Sequence, residues 1–251
     1  SISPIGRTRT LPTKGIKRYR MAVFSCSNMP FGWFNAYAHA AQTGDFDIAL
    51  HLGDYIYEYQ RGDYPSVKDA IAGRLIEPAN EIVSLADYRL RYASYRADPD
   101  LQAIHARAPM LCMWDDHEFA NDTYKDGAEN HTTATEGSFA ARKAAAMQAY
   151  HEWMPIRTGA DKSKIYRSFN FGNLISLHML DTRSVGRDQQ VDIADLVNPA
   201  KQATALATLS SPSRQLMGVE QVQWLQTQMA SSTATWQILG QQVLMARIEF
   251  P

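Results

Sequence analysis

Four short runs rich in β-forming residues, Tyr19–Ser25, Phe46–Leu52, Pro109–Trp114 and Leu174–Leu180, each break off into a polar cluster at the C-terminal side. Cys26-Ser27-Asn28 follows the first and Gly53-Asp54-Tyr55-Ile56-Tyr57-Glu58 the second. Asp115-Asp116-His117-Glu118 follows the third and Asp181-Thr182-Arg183 the fourth. Strand ends ordinarily carry turn formers such as Gly, Asn, Ser or Pro, so three successive ends bearing thiol, carboxylate and imidazole groups are hard to explain as structure alone. In open α/β sheets, ligands bind beyond the carboxyl ends of the strands. The first three runs lack strict alternation, which suits strands buried on both faces. A fifth run spans Trp236–Met245. Helical patterns lie between the runs at Phe34–Ala41, Leu85–Arg96, Leu101–Arg107, Phe139–Trp153 and Glu220–Met229. Asp98-Pro99-Asp100 ends the second of these helices and caps the third. Alternating strands and helices predict an α/β protein. Gln60–Ser84 fits no periodicity and is expected to be a surface excursion.

Charge narrows the function classes. The 251 residues hold 25 basic and 26 acidic side chains, a net charge of −1, so no basic field points to nucleic acid. Two cysteines exclude a disulfide scaffold, and no apolar run reaches the ~18 residues a membrane helix needs. Residues 1–20 hold six basic residues and no acid among Pro and Gly, the pattern of an irregular linker or arm. Residues 115–136 hold seven acids against Lys125 alone, which suits either a solvated loop or the rim of a cation site.

Asp54 is the leading candidate. Gly53 permits a sharp turn at the strand end, and a carboxylate with two oxygens can bridge two cations of the kind that clamp a phosphoryl transfer. Tyr57 can reach back over the turn as a ligand, though a phenol titrates near ~10 and only a strongly Lewis-acidic ion deprotonates it at neutral pH. Tyr55 and Tyr59 are expected to pack the loop. In the Asp115–Glu118 tetrad, mutual repulsion demands a compensating cation or helix dipole. Asp116 is the candidate ligand there, and His117 the group acting on the leaving oxygen or on phosphate. Asp115 and Glu118 are expected to hold the loop by accepting backbone N–H groups. Asn121 and Tyr124 are close enough in sequence to line the same site.

Cys112 lies four residues before Asp116, about 13 Å of strand at ~3.3 Å per residue. Cys26 lies at a strand end, so with aligned ends the two are too far apart for a disulfide. Cys112 reads as a core residue and Cys26 as a ligand or, less favourably among so many carboxylates, a nucleophile. His51 and His178 read as core or supporting residues, His39, His105 and His151 as helix residues without a role, and His131 as a weak site candidate. Arg183 suits either a phosphate fork or a salt bridge.

Phe24-Ser25-Cys26-Ser27-Asn28, His51-Leu52-Gly53-Asp54-Tyr55-Ile56-Tyr57-Glu58-Tyr59 and Trp114-Asp115-Asp116-His117-Glu118 with Asn121 resemble the PhoD-like alkaline phosphatase/phosphodiesterase family of the metallophosphoesterase superfamily. Asp87-Tyr88-Arg89, Arg91-Tyr92, Asp181-Thr182-Arg183 and the stretch from Arg214-Gln215-Leu216 to Trp224-Leu225 extend the likeness from about residue 7 to the end of the chain. The resemblance implies a calcineurin-like α/β/β/α sandwich. It implies Fe3+ held by Cys26, by Asp54 as the bridging carboxylate and by Tyr57 as phenolate, with Asp116 serving a second ion, Ca2+, other divalent ions being possible. It further implies periplasmic or secreted location and phosphate-ester substrates. Members usually carry a β-sandwich domain before this region, of which residues 1–18 look like the linker or tail, residues 19–251 being the N-terminal portion of the catalytic domain. They also carry a further acidic/His ligand motif downstream of Pro251, so this chain is expected to lack part of its C-terminal half and to need it to complete the site. Ser184-Val185-Gly186-Arg187 departs from relatives that have an aromatic before the Arg.

The expected function is metal-dependent hydrolysis of phosphate mono- and diesters by a metal-bound hydroxide, with His117 catalytic and Asn121 and Arg183 binding substrate. The alternatives are a catalytically silent fragment that binds phosphate or metal, and a cysteine hydrolase acting through Cys26.

Overall fold

The computed structural model describes residues 5–245, so residues 1–4 of the expected linker and residues 246–251 of the expected domain lie outside the description. Among the described residues, two three-stranded sheets organise the fold. In the first, β1 (Met21–Phe24), β2 (Ile48–His51) and β3 (Met110–Cys112) run parallel in that order. In the second, β4 (Arg167–Phe171) pairs antiparallel with β5 (Ile175–Met179), and β5 pairs parallel with β6 (Trp236–Gly240). The helices are α1 (Asn35–Thr43), α2 (Leu85–Arg96), α3 (Pro99–Arg107), α4 (Thr133–Glu136), α5 (Phe139–Trp153), α6 (Ile193–Val197), α7 (Gln202–Leu209) and α8 (Gly218–Ser231). Ala49, Leu50 and Met110 of the first sheet share one apolar core with Phe171, Ile175, Leu177 and Met179 of the second. Arg167 crosses between the sheets, donating from Nη2 to the Cys112 carbonyl at 2.8 Å.

Each apolar run of the sequence contains a strand, and the five anticipated helices form. The Asp98 carboxylate caps α3 by accepting from the Asp100 and Leu101 amides, both at 2.9 Å, as the Asp-Pro-Asp break implies. Among the elements not anticipated, β4 reads Arg-Ser-Phe-Asn-Phe, too polar for an apolar run, and is recruited by a hairpin at Gly172, whose φ is +57°. The segment Gln60–Ser84 is largely the expected surface excursion, with more exposed than buried residues. It carries no helix or strand, yet it buries Arg74, Ile76 and Ile82. Arg74 Nη1 pairs with buried Asp98 at 2.7 Å. Buried Arg91 gathers the carbonyls of Tyr57, Glu77, Pro78 and Asn80 onto one guanidinium. Irregular backbone can be buried only when its carbonyls find donors, and Arg91 supplies them. Residues 5–20 have no regular structure but lie along the body, with the Arg7 amide on the Ala106 carbonyl at 2.8 Å and the Gly172 amide on the Pro12 carbonyl at 2.8 Å.

His105 on α3 meets the Tyr55 hydroxyl at 2.9 Å. Burial, aided by Arg96 and His51, lowers its pKa to about 3. An unfolded histidine titrates near ~6.5, so below that pH the unfolded chain takes up a proton that the folded chain refuses. The resulting stability is whole above pH ~6.5 and is lost as pH falls toward 3. At pH 5 the loss is about 2 kcal/mol. Urea unfolding of wild type and His105→Gln is therefore expected to shift by about that amount in the variant's favour between pH 7.5 and pH 5; parallel pH profiles would contradict a neutral buried His105.

Candidate metal centre

The register Phe24↔His51↔Cys112 aligns the three parallel strands at one end. Beyond that end, the ladder continues into the turns. The Cys26 amide donates to the Gly53 carbonyl at 3.1 Å and the Ser27 amide to the Asp54 carbonyl at 2.7 Å. Cys26 and Asp54 have φ of +58° and +56°, and Gly53 has φ of +111°. Non-glycine residues avoid this region, which costs roughly 1 kcal/mol or more each, and it persists only where neighbours over-determine it. Here Glu118, fully buried, does so: its carboxylate accepts the Asp54 amide at 3.0 Å, the Tyr55 amide at 2.5 Å and the Asp115 amide at 2.7 Å. Glu118 thus holds the loop as the sequence suggests. Asp115 does not; it takes the Arg183 guanidinium at 2.6 Å instead.

Cys26 Sγ and the Tyr57 hydroxyl both approach Asp54 Oδ2, at 3.5 and 3.2 Å. Asp54, Asp116 and His117 each offer a ligand atom, all within 4.8 Å of one another. Asp54 Oδ1 is buried without a hydrogen-bond partner among the described residues. A buried carboxylate oxygen left bare costs free energy that a cation would recover, and soft thiolate, phenol, carboxylate and imidazole donors together suit a transition metal beside a harder ion. The residues therefore fit a metal group. Burial raises the Asp54 carboxyl pKa, helped by Asp116 and opposed by His117. Burial and the neighbouring Asp54 push the Tyr57 phenol far up, so deprotonating it requires strong positive charge at the site. Burial likewise raises the Cys26 thiol. Cys26 and Cys112 are both free thiols, the former exposed and the latter buried.

Asp116 stays below the ordinary carboxylate range despite its burial, because Arg183 and His117 lie beside it. His117 Nδ1 bonds Glu58 Oε2 at 2.7 Å, and its ring stacks on Tyr57 with centroids 4.1 Å apart. Burial opposes its charge, but Glu58, Asp116 and Asp54 outweigh burial and raise it to about 9. A cation among these carboxylates would take over that role and drive the imidazole toward its neutral form. With Nδ1 on Glu58, Nε2 is the nitrogen that faces other partners.

Arg183 is wholly engaged with acids: Asp115 at 2.6 Å, Asp116 at 3.2 Å and Asp122 at 3.2 Å. Of its two sequence readings, the structure shows the salt bridge. The Asn121 amide donates to Glu58 at 2.6 Å and its side chain to Glu129 at 3.0 Å. Asn121 also lines, with Asp122, Tyr124, Glu129 and Gln190, an open cleft of about 770 Å³. His131 turns away to Glu136 and Phe139, while His51 and His178 are buried in the sheets. Sequence reasoning missed Glu58, which orients His117 and accepts from Asn130 at 2.9 Å. Its only signal was its place directly after Tyr57.

The profile of the PhoD-like phosphatase family matches residues 21–250. Alkaline phosphatase D of Bacillus subtilis (strain 168) is 39% identical over 256 residues, covering 99% of this chain and 42% of that protein. A solved structure titled "Structure of PhoD" superposes with a TM-score of 0.81 at 36% identity, over 98% of this chain and 46% of the other. The chain thus spans less than half the length of the relatives it matches.

Proposed function

Since the chain belongs to the PhoD-like phosphatase family, we propose that it carries the first part of a metal-dependent phosphoesterase site acting on phosphate mono- and diesters, within an α/β/β/α sandwich. The observation that carries this reading is the convergence of Asp54, Asp116 and His117, with the bare buried Asp54 Oδ1 among them. Asp54 would bridge two ions, with Cys26 and Tyr57 completing the side of an Fe3+ and Asp116 serving a Ca2+. When bound, such ions polarise a phosphoryl oxygen and lower the pKa of water toward neutrality.

The chain's own residues do the rest. Arg183 neutralises Asp115 and holds one Asp116 oxygen, fixing how that carboxylate is presented. Glu58 anchors His117 Nδ1, so in the protonated ring Nε2 can donate a proton to a leaving oxygen or a hydrogen bond to a phosphoryl oxygen. Asn121, held by Glu58 and Glu129 beside the cleft, would contact substrate, a role its position on the cleft supports. The rest of such a protein would supply further ligands, and a location outside the cytoplasm is part of this proposal. No helix of the described residues is long and apolar enough to cross a membrane.

Hydrolysis of bis(p-nitrophenyl) phosphate before and after exhaustive chelation tests the proposal. Chelation is expected to remove activity, and restored metal to return it. Activity that survives chelation but disappears on alkylation of Cys26 would instead establish a cysteine hydrolase.

A further inference from the structure

One buried polar cluster lies under the site and has no part in the chemistry above. Ser27 Oγ, the Tyr37 hydroxyl and His51 Nε2 form a closed triangle. His51 Nε2 lies 3.0 Å from Ser27 and 2.9 Å from Tyr37, and the two hydroxyls are in direct contact. All three side chains are buried. On its other nitrogen, His51 Nδ1 accepts from the Gly53 amide at 3.4 Å. That bond assigns the proton to Nε2, which donates to the hydroxyl pair.

The members of this triangle sit where the metal-side turns begin. Ser27 adjoins Cys26, and its amide holds the Asp54 carbonyl. His51 ends β2 and reaches the amide of Gly53, the residue before Asp54. Tyr37 comes from α1 and ties both turns to a helix. Cys26 and Asp54 both occupy the left-handed region, a conformation the backbone leaves unless it is held. Glu118 holds the Asp54 turn through its amides, but no carboxylate hydrogen-bonds a backbone amide of the Cys26 turn among the described residues.

We propose that Ser27, Tyr37 and His51 act as one positioning unit that fixes the Cys26 and Asp54 turns relative to each other, and thereby sets how tightly the site holds a metal. The proposal rests on the metal reading of that site. The triangle touches neither substrate nor metal and acts only through the two turns. Residues that orient metal ligands in this way typically change affinity 10- to 100-fold when altered.

Co2+ titration of the purified protein tests this, because a thiolate–cobalt charge-transfer band reports ligation by Cys26. Ser27→Ala and Tyr37→Phe are each expected to weaken Co2+ binding by about 10-fold or more and to shift or diminish that band, with little change in the thermal midpoint. The double variant is expected to be no worse than the weaker single, since one unit is lost only once. Tyr37→Phe keeps the ring and its packing, so it decides the question alone if Ser27→Ala misfolds. Wild-type affinity and spectrum in Tyr37→Phe would overturn the proposal. So would a Tyr37→Phe variant that loses stability while its spectrum stays unchanged. Asp54→Asn in the same titration separates the two ideas. If it binds Co2+ like wild type, the site is not a metal centre. If it loses binding while Tyr37→Phe does not, only the positioning unit fails.

Discussion

Asp54→Asn is expected to lower kcat for phosphodiester hydrolysis on the order of 10³-fold, the scale on which removal of one preorganised electrostatic group is felt. Asparagine keeps the volume and the backbone amide, so the Glu118 bonds to the Asp54 and Tyr55 amides survive. What disappears is the charge on which Cys26 and Tyr57 converge and the bare buried oxygen beside them. Stability should move the other way or stay level. Burial and Asp116 already disfavour ionised Asp54, so a neutral side chain relieves repulsion. Paired measurements of kcat and the urea midpoint check both halves. Undiminished activity would sink the two-ion proposal, and lost activity with a collapsed midpoint would mean only that the fold was damaged.

Gly53→Ala is expected to cost about 3 kcal/mol of stability, the sum of a forbidden backbone conformation and forced overpacking. At Gly53, φ is +111°, and a Cβ would stand 2.4 Å from Asp115 Cβ and 2.5 Å from the Asp115 amide nitrogen. Neither neighbour can retreat, because Asp115 is held by Glu118 at its amide and by Arg183 at its carboxylate. Urea unfolding measures the effect. A loss below about 1 kcal/mol would mean that the turns after β2 and β3 do not approach as closely as described. The same substitution should separate Asp54 from Asp116, so metal binding is expected to weaken along with the fold.

The proximity of Cys26, Asp54, Tyr57 and Asp116 was legible because each lies in the turn beyond an apolar run, and aligned parallel strands turn that nearness in sequence into nearness in space. Cys112 was legible as core because it lies inside an apolar run; it closes β3 and is fully buried. Glu58 and Tyr37 were not legible. A carboxylate five residues past Gly53 and a tyrosine on a helix gain their meaning only from partners 59 and 14 residues away, His117 and His51. Arg183 was ambiguous because a guanidinium beside many acids and one beside a phosphate look alike in sequence; its contacts to Asp115, Asp116 and Asp122 come from segments more than sixty residues away. In the fold, β4 escaped because pairing with β5, not its own composition, makes it a strand. The burial of Arg74, Ile76 and Ile82 within residues 60–84 escaped because the donor that supports this stretch, Arg91, lies on a distant helix turn.

The carboxylates of Asp54, Glu58, Asp115, Asp116, Glu118 and Asp122 crowd one sheet end with Arg183 and His117 as their nearby cations. On the proposed metal reading, that crowding would make ion occupancy and conformational integrity a single equilibrium. An ion taken up by the native chain but not by the denatured one adds about 2.7 kcal/mol at a hundredfold excess over its dissociation constant. On that reading, mineral supply would govern how long the polypeptide survives as well as how fast it works.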